Sequence, residues 1–161
     1  MSQHALDRLK ERFGDAVVST HAQHGDDTAV VARERLREVI EFLRDDPELA
    51  FNAPSDLTCV DYYGREPRFE VVYHLLSLST KKRIRVKVQV PEEDPTVDSI
   101  VSLYSGFNWF EREVWDMYGI RFNGHPDLRR LFMWESFNGH PLRKDYPKDK
   151  RQPLVRREGN S

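Results

Sequence analysis

The chain has 161 residues, of which 39% are hydrophobic and 32% charged, and its formal net charge at pH 7 is −2. This length predicts one domain with an extension rather than several domains. A single cysteine, Cys59, excludes an internal disulfide and any zinc site or iron–sulfur cluster held by cysteines of this chain alone. No apolar run reaches the roughly 18 residues of a membrane-spanning helix, so we expect a soluble protein without a visible export signal.

The first 95 residues predict a two-layer α+β domain. Apolar residues recur at helical spacing in 4–13 and 34–45, which predicts two amphipathic helices. Five further segments have the composition or the alternation of β-strands, namely 16–20, 28–31, 57–63, 68–77 and 83–90. Short connections between strands favour the element order α-β-β-α-β-β-β and a mixed, mostly antiparallel five-stranded sheet with both helices on one face. Cys59 falls in an apolar strand and is predicted to be a buried free thiol.

Residues 96–147 predict a second unit, in which helices precede an extended segment. We expect a short helix at 97–104 and a better-defined helix that begins at Asn108. Asn108 and Glu111 have the spacing of a capping box, in which each side chain satisfies a free backbone N–H of the first turn. Gly119 fits the left-handed residue that commonly ends a helix.

The charged residues of this helix have two readings. Arg112 and Asp116 are spaced as an i,i+4 ion pair, which together with capping describes a solvated helix face. Alternatively, Glu111, Glu113 and Asp116 are paired acids suited to general acid/base catalysis or to metal binding. The spacing favours capping and surface ion pairs.

A pentapeptide, Phe-Asn-Gly-His-Pro, occurs at 122–126 and again at 137–141. With acidic neighbours, His125 and His140 are candidate metal ligands. Each histidine, however, follows an Asn-Gly turn signal and precedes a proline that favours an extended backbone. The two copies are therefore predicted to be rigid, extended hooks that present histidine and arginine to acidic or backbone groups elsewhere.

The charge of the chain is unevenly distributed. Residues 101–161 hold 11 Lys/Arg and 8 Asp/Glu, an excess too small for a typical nucleic-acid-binding surface. The tail at 148–161 is basic and poor in apolar residues, so it is either solvated or becomes ordered along a partner.

Four linked blocks of this region resemble the 30-kDa subunit family of respiratory complex I, the NADH-quinone oxidoreductase, whose bacterial members are called C-subunits. The blocks are Glu111-Arg112-Glu113, Asp116-Met117-Tyr118-Gly119-Ile120, Gly124-His125-Pro126-Asp127-Leu128-Arg129-Arg130 and Gly139-His140-Pro141-Leu142-Arg143-Lys144-Asp145-Tyr146-Pro147. The resemblance covers most of the chain, since the α-β-β-α-β-β-β domain is also similar to that family.

The resemblance implies a non-redox, hydrophilic subunit of the peripheral arm of a proton-translocating enzyme, on the cytoplasmic side of a bacterial inner membrane. The chain itself would bind no cofactor and no metal, whereas the whole complex would use FMN, iron–sulfur clusters, NADH and quinone. Its implied partners are the quinone-site subunit, which is related to hydrogenase large subunits, and neighbouring iron–sulfur subunits, with no nucleic acid. The expected interface residues are Glu111, Arg112, Glu113, Asp116, His125, Asp127, Arg129, Arg130, His140, Arg143, Lys144, Asp145 and Tyr146.

Three alternatives stay open. One is the equivalent subunit of a related membrane-bound hydrogenase or of an F420-linked dehydrogenase. Another is a free-standing metal-dependent enzyme, whose candidate residues are Glu111, Glu113, Asp116, His125 and His140. The third is a nucleic-acid-binding module that uses the basic tail, which the mild charge asymmetry disfavours.

Overall fold

The computed structural model describes residues 3–152, which form three α-helices and seven β-strands. In chain order these elements are α1 Gln3–Phe13, β1 Val17–His21, β2 Thr28–Val31, α2 Leu36–Asp45, β3 Ala53–Asp61, β4 Phe69–Leu76, β5 Arg83–Val90, β6 Thr96–Asp98, α3 Phe107–Tyr118 and β7 Arg121–Asn123. The predicted order of the first two helices and five strands is confirmed. No helix in this part of the chain is long and apolar enough to cross a membrane.

The five predicted strands form one mixed sheet in the spatial order β1-β2-β5-β4-β3. Neighbours are antiparallel except β2 and β5, which run parallel and are joined by the long crossover that a parallel pair requires, through α2, β3 and β4. The α+β class and the mostly antiparallel sheet are therefore confirmed. β3 begins four residues earlier than predicted, because its pairing with β4 extends to Ala53 opposite Leu76 across a bulge.

The hydrophobic core lies between one face of this sheet and the helices. On β5 the apolar residues alternate inward as predicted, and the polar residues between them point outward. The inward set on β4 and β5 comprises Phe69, Val71, Tyr73, Leu75, Ile84, Val86, Val88 and Val90. The buried set on α1 and α2 comprises Leu6, Leu9, Leu36, Val39, Ile40 and Leu43. Cys59 is free and buried, as predicted, and its burial raises the pKa of the thiol.

The predicted helix at 97–104 is wrong. Residues 96–98 form β6, which pairs in parallel with β7, so that Val97 lies opposite Phe122. Beyond the strand, Ile100 and Tyr104 turn into the core, and the Tyr104 hydroxyl donates to the Phe51 carbonyl. Apolar residues three or four apart imitate a helical pattern here, but pairing with a distant strand determines the conformation.

Helix α3 packs on the same core as the sheet. Its first residue, Phe107, lies edge-on to Tyr73 of β4, with ring centroids 6.0 Å apart, and to Tyr104 at 5.7 Å. Residues before and after position 95 thus share one core, and the division of the chain into 1–95, 96–147 and 148–161 stays a prediction. Of the predicted tail, 153–161 lies outside the described residues.

Candidate functional site

Glu111 is fully buried and fastens α3 to the turn after β6. Its Oε1 accepts the Ile100 backbone N–H at 2.8 Å, and its Oε2 accepts the Ser99 hydroxyl at 2.7 Å. The predicted capping box is therefore wrong: Asn108 is inside the helix, and the N-cap is Gly106, which makes no side-chain cap. Burial raises the pKa of Glu111 to about 7, because desolvation outweighs the two hydrogen bonds to the carboxylate.

The buried carboxyl of Glu111 should make the protein less stable as the pH rises. Its pKa is about 7 in the fold against an ordinary 4.5, so between these values the folded state binds more protons than the unfolded state. The free energy of unfolding should then fall by up to about 3 kcal/mol from pH 4.5 to pH 7 and level off above it. Urea unfolding at a series of pH values measures this fall.

The control for this titration is Glu111→Gln. An amide keeps an oxygen for the Ile100 N–H and offers a donor to the Ser99 oxygen, while it removes the titrating proton. The variant should show a shallower fall in stability over the same pH range. Parallel curves for the two proteins would show that Glu111 does not titrate in this window.

Asp116 organises the loop that follows β7. It is fully buried, its Oδ1 accepts Arg130 Nη1 at 2.6 Å, and its Oδ2 accepts three successive backbone N–H groups, of residues 131–133, at 2.8 to 3.0 Å. Arg130 also donates to the carbonyls of Phe137 and Gly139. Although burial disfavours the charge, these donors hold the pKa of Asp116 below its ordinary value. One carboxylate thereby links α3 to residues 130–133 and, through Arg130, to the second pentapeptide copy.

The predicted Arg112–Asp116 ion pair is wrong. Arg112 is buried, and its Nε and Nη2 donate to the carbonyls of Arg129 and Arg130, each at 3.1 Å. Its guanidinium also lies 5.0 Å from the centre of the Trp109 ring. Both charged residues of the expected pair are instead directed at the loop after β7.

The first copy of the pentapeptide contacts the N-terminal end of α3. Gly124 has φ +77°, as its Asn-Gly turn predicts. His125 Nδ1 accepts the Asp127 backbone N–H at 3.0 Å, so the proton is on Nε2, which lies 3.1 Å from the Asn108 carbonyl oxygen. Because both ring nitrogens are engaged, neither offers a lone pair to a metal ion in this arrangement.

The second copy completes the C-terminal end of α3. His140 Nδ1 donates to the Asp116 carbonyl, and the Leu142 N–H donates to the Met117 carbonyl. Arg143 Nε donates to the Tyr118 carbonyl. The Gly119 N–H donates to the Trp115 carbonyl, so all four final carbonyls of the helix, which usually lack a helical partner, are satisfied. The hooks are thus engaged with backbone groups of their own chain. Burial lowers the pKa of His140.

Gly119 allows the second hook to approach the helix, and it is the left-handed C-cap that was predicted, with φ +79°. A Cβ at this position would lie 2.6 Å from His140 Cδ2 and 2.7 Å from Arg143 Nη2. We expect Gly119→Ala to lower the free energy of unfolding by more than the roughly 1 to 3 kcal/mol that a left-handed non-glycine residue costs. Urea unfolding measures the loss.

Gly64 is a matched control for Gly119. Its φ is +83°, and a Cβ there would meet no atom within 4 Å, so Gly64→Ala incurs only the backbone cost. The excess loss in Gly119→Ala over Gly64→Ala reports the contact with His140 and Arg143. Equal losses for the two variants would contradict the close packing of the hook.

An ionic cluster around the buried Arg68, which the sequence did not predict, fastens the segment after the second pentapeptide copy to the sheet. In this Arg68 cluster the guanidinium of Arg68, 1% exposed, binds Asp61 through two hydrogen bonds of 2.9 Å and reaches Glu92 at 2.6 Å and Asp145 at 2.7 Å. Asp61 also accepts the Lys144 backbone N–H at 2.8 Å. The hydrogen bonds that Arg68 donates to these carboxylates raise its pKa. Of the five residues, only Lys144 and Asp145 were expected to have a role.

The remaining predicted interface residues are more accessible. Glu113 is half-buried on α3, whereas Asp127 and Arg129 form an exposed ion pair of 2.8 Å. The Tyr146 ring stacks on Phe137 at 6.0 Å. The predicted set therefore contains residues engaged inside the fold and residues open to a partner, and its role as an interface stays a prediction.

The acids and histidines proposed as sites of a metal-dependent enzyme do not converge on one point, because each contacts a different part of the chain. Glu111 faces the turn after β6, Asp116 faces the loop after β7, and the two histidines bind backbone groups at opposite ends of α3. Among residues 3–152 no group of three or more such side chains is arranged to hold a metal ion. The arrangement is suited to holding segments of chain together.

Comparison with known proteins identifies the family. A family model described as the 30 kDa subunit of the respiratory-chain NADH dehydrogenase matches residues 29–152. The NADH-quinone oxidoreductase C-subunit 2 of Rhizobium etli (strain CIAT 652) is 48% identical over 150 residues, which cover 91% of this chain and 80% of that protein. The C-subunit of the same kind of enzyme from Roseiflexus sp. (strain RS-1) is 51% identical over 142 residues, 88% of this chain and 82% of that protein.

Two solved structures share the fold. The trypsin-resistant fragment (1–134) of Nqo5 is 36% identical, with a TM-score of 0.66, and the match covers 77% of this chain and 99% of that one. A chain of the membrane-bound sulfane sulfur reductase, an archaeal respiratory membrane complex, superimposes with a TM-score of 0.76 over 91% of this chain and 85% of its own length; at 18% identity this likeness concerns the fold alone. Together with the relatives, the family model confirms the resemblance of the four motif blocks, and the chain belongs to the family of 30 kDa subunits of the respiratory-chain NADH dehydrogenase.

Proposed function

We propose that this chain is a non-redox, hydrophilic subunit of the peripheral arm of a proton-translocating NADH:quinone oxidoreductase, that it braces the quinone-site subunit, and that assembly of the complex requires it. Its relatives, named as C-subunits of NADH-quinone oxidoreductases, support the membership in such a complex. The expected position is peripheral, on the cytoplasmic side of the bacterial inner membrane, with the neighbouring iron–sulfur subunits as further partners. FMN, the clusters, NADH and quinone would be bound by other chains.

One observation supports the bracing role: the acidic side chains that look most suited to catalysis hold parts of this chain together inside the fold. Glu111 and Asp116, the best candidates for acid/base chemistry, are fully buried, and each accepts hydrogen bonds on both carboxylate oxygens. A general acid or base has to reach a substrate proton. These two carboxylates instead reach the neighbouring segments of their own chain, which favours a rigid support for a partner.

Recovery of the tagged chain from solubilised membranes tests this proposal. We expect it to co-purify with a membrane oxidoreductase that contains an NADH-binding flavoprotein subunit, and to show no redox activity and no stoichiometric metal when isolated. Hydrogenase or F420-linked partners in place of the flavoprotein would identify a related complex. Recovery of the chain alone, as a stable monomer from cells that contain an assembled complex, would reject the proposal.

Arg129→Ala should reduce the amount of assembled complex more than the turnover of each assembled complex. The Arg129 side chain is 71% exposed and its only ion pair within residues 3–152 is with Asp127, so it is available to a partner. Arg143→Ala should have the same effect and also lower the stability of the fold, because Arg143 binds the end of α3. Quantifying the complex in membranes and its activity per complex separates the two quantities; normal assembly with lost turnover would instead place these arginines in the chemistry.

A further inference from the structure

Exposed aromatic side chains are concentrated along one side of α3. Trp109 is 62% exposed, Phe132 60% and Trp134 40%, and exposed patches of large apolar side chains often mark interaction sites. We call these three residues the aromatic face. None of them belongs to the interface set predicted from the motif blocks.

Internal contacts bring the aromatic face together. Arg112 stacks on Trp109 and donates to the carbonyls of Arg129 and Arg130, so the loop that starts there lies beside Trp109. Asp116, one turn further along the same side of α3, binds the N–H groups of residues 131–133. Phe132 and the residue that precedes Trp134 are therefore held against the same side of the helix.

The face is fixed before any partner arrives. Its loop backbone is held by three hydrogen bonds to a buried carboxylate, and the Trp134 ring packs edge-on against Phe137, with ring centroids 4.9 Å apart. Ordering flexible side chains and loops is one of the main costs of association. A preformed aromatic surface avoids much of that cost, and tryptophan is the residue type most often found to dominate binding energy at protein interfaces.

Basic side chains flank the aromatic face. Arg129 is exposed at one end, and Lys150 lies 5.3 Å from the Tyr146 ring, which stacks on Phe137 next to Trp134. Residues 121–152 hold 8 Lys/Arg and 4 Asp/Glu, whereas residues 1–120 hold 15 and 22. Residues 121–152, which include Phe132 and Trp134, thus carry an excess of positive charge beside an acidic remainder of the chain, which favours an acidic counterpart.

A protein fits this pattern better than a lipid surface. Recruitment to anionic lipids generally relies on clusters of about four to eight basic residues. The loop beside the face also carries Asp127 and the exposed Glu135, which a uniformly anionic membrane would repel. A protein can place its carboxylates opposite Arg129 and Lys150 alone.

We infer that the aromatic face is the energetic centre of the contact with the partner, and that the partner presents an apolar patch flanked by carboxylates. This inference rests on the proposed function, because it names the part of the chain that makes the contact. It predicts that Trp109 and Arg129 contribute more to incorporation than equally exposed residues elsewhere.

Competition in cells tests the inference. Each variant is expressed together with the wild-type chain at equal levels, the complex is purified from solubilised membranes, and mass spectrometry gives the ratio of variant to wild type. Trp109→Ala should be under-represented about tenfold or more, and Trp109→Phe should recover part of the loss. Leu78→Ala, which removes a side chain 63% exposed on the β4–β5 turn, should be incorporated equally.

A second pair of variants tests the charge of the partner. Arg129→Glu should be under-represented about tenfold, as for reversal of an interface charge, whereas Arg83→Glu, an exposed arginine on β5, should not. Equal incorporation of Arg129→Glu and Arg83→Glu would overturn the inference that the partner is acidic opposite Arg129. If thermal unfolding of the purified variant shows that Trp109→Ala fails to fold, Phe132→Ala, which removes a side chain 60% exposed on the same face, takes its place in the competition.

The remaining outcomes separate the inference from the proposed function. Wild-type chain absent from every membrane complex overturns both. Wild-type chain present, with Trp109→Ala incorporated equally, overturns the inference and leaves the proposed function intact. If the purified chain binds phosphatidylglycerol vesicles through Trp109 while Trp109→Ala is incorporated normally, the aromatic face contacts lipid and the inference is again rejected.

Discussion

Asp116→Ala should lower the free energy of unfolding by about 3 to 5 kcal/mol, the usual cost of removing one partner of a buried ion pair. The substitution leaves the Arg130 guanidinium, which is 13% exposed, without its carboxylate. It also leaves three partly buried backbone N–H groups, of residues 131–133, without their acceptor, which adds to the cost. Urea unfolding of the purified variant measures the change.

Two further variants show whether the loss of stability comes from the contacts of Asp116. Glu113→Ala alters a half-buried acid on the same helix and should cost under about 1 kcal/mol, in line with substitutions away from buried networks. Asp116→Asn keeps one oxygen for the loop N–H groups but removes the charge that pairs with Arg130, so its loss should lie between the other two. If Asp116→Ala behaves like Glu113→Ala, Asp116 does not organise the loop.

Arg68→Met should be comparably destabilising, by about 3 to 5 kcal/mol. Methionine has a similar length but no charge, so Asp61, whose side chain is fully buried, loses both hydrogen bonds from the guanidinium. Asp145 loses its partner as well, and the segment around it becomes less firmly attached to the sheet. We therefore expect lower stability by urea unfolding and faster tryptic cleavage after Lys148 and Lys150.

Arg65→Met is the control for the Arg68 cluster. Arg65 lies in the same β3–β4 turn, but it is exposed, and its guanidinium lies 5.5 Å from the centre of the Tyr62 ring. Its replacement should change stability by less than about 0.5 kcal/mol and leave the cleavage rate unaltered. Faster cleavage in both variants would show that the turn itself, rather than the ionic cluster, holds the segment.

Periodicity predicted the sheet and the first two helices because their apolar faces are built from residues close together in the chain. β5 alternates strictly, and its buried and exposed positions follow that alternation. The same method failed at 97–104, where the conformation of Val97 depends on pairing with Phe122, 25 positions later. Local spacing contains no information about such a partner.

The sequence predicted several residues of the candidate site, but it did not predict which groups these residues contact. The spacing of Arg112 and Asp116 is that of an ion pair, yet each finds better-placed groups in the loop at 129–133, which offers carbonyls to one and N–H groups to the other. The Arg68 cluster has no local signal at all, since Asp61 and Asp145 are 84 positions apart in the numbering and meet only in the fold.

The hydrogen bonds that end α3 have a consequence for the order of synthesis. The acceptors, at Asp116 and Tyr118, leave the ribosome well before the donors, His140 and Arg143, which follow 24 and 25 positions later. The interval is longer for Asp61, which accepts the backbone N–H of Lys144, 83 positions later. The nascent sheet therefore carries an unfinished helix and a buried acid until about residue 145 has emerged. We expect a chain that stalls before that point to be more open to proteases and chaperones than the complete chain, because these contacts are still unmade.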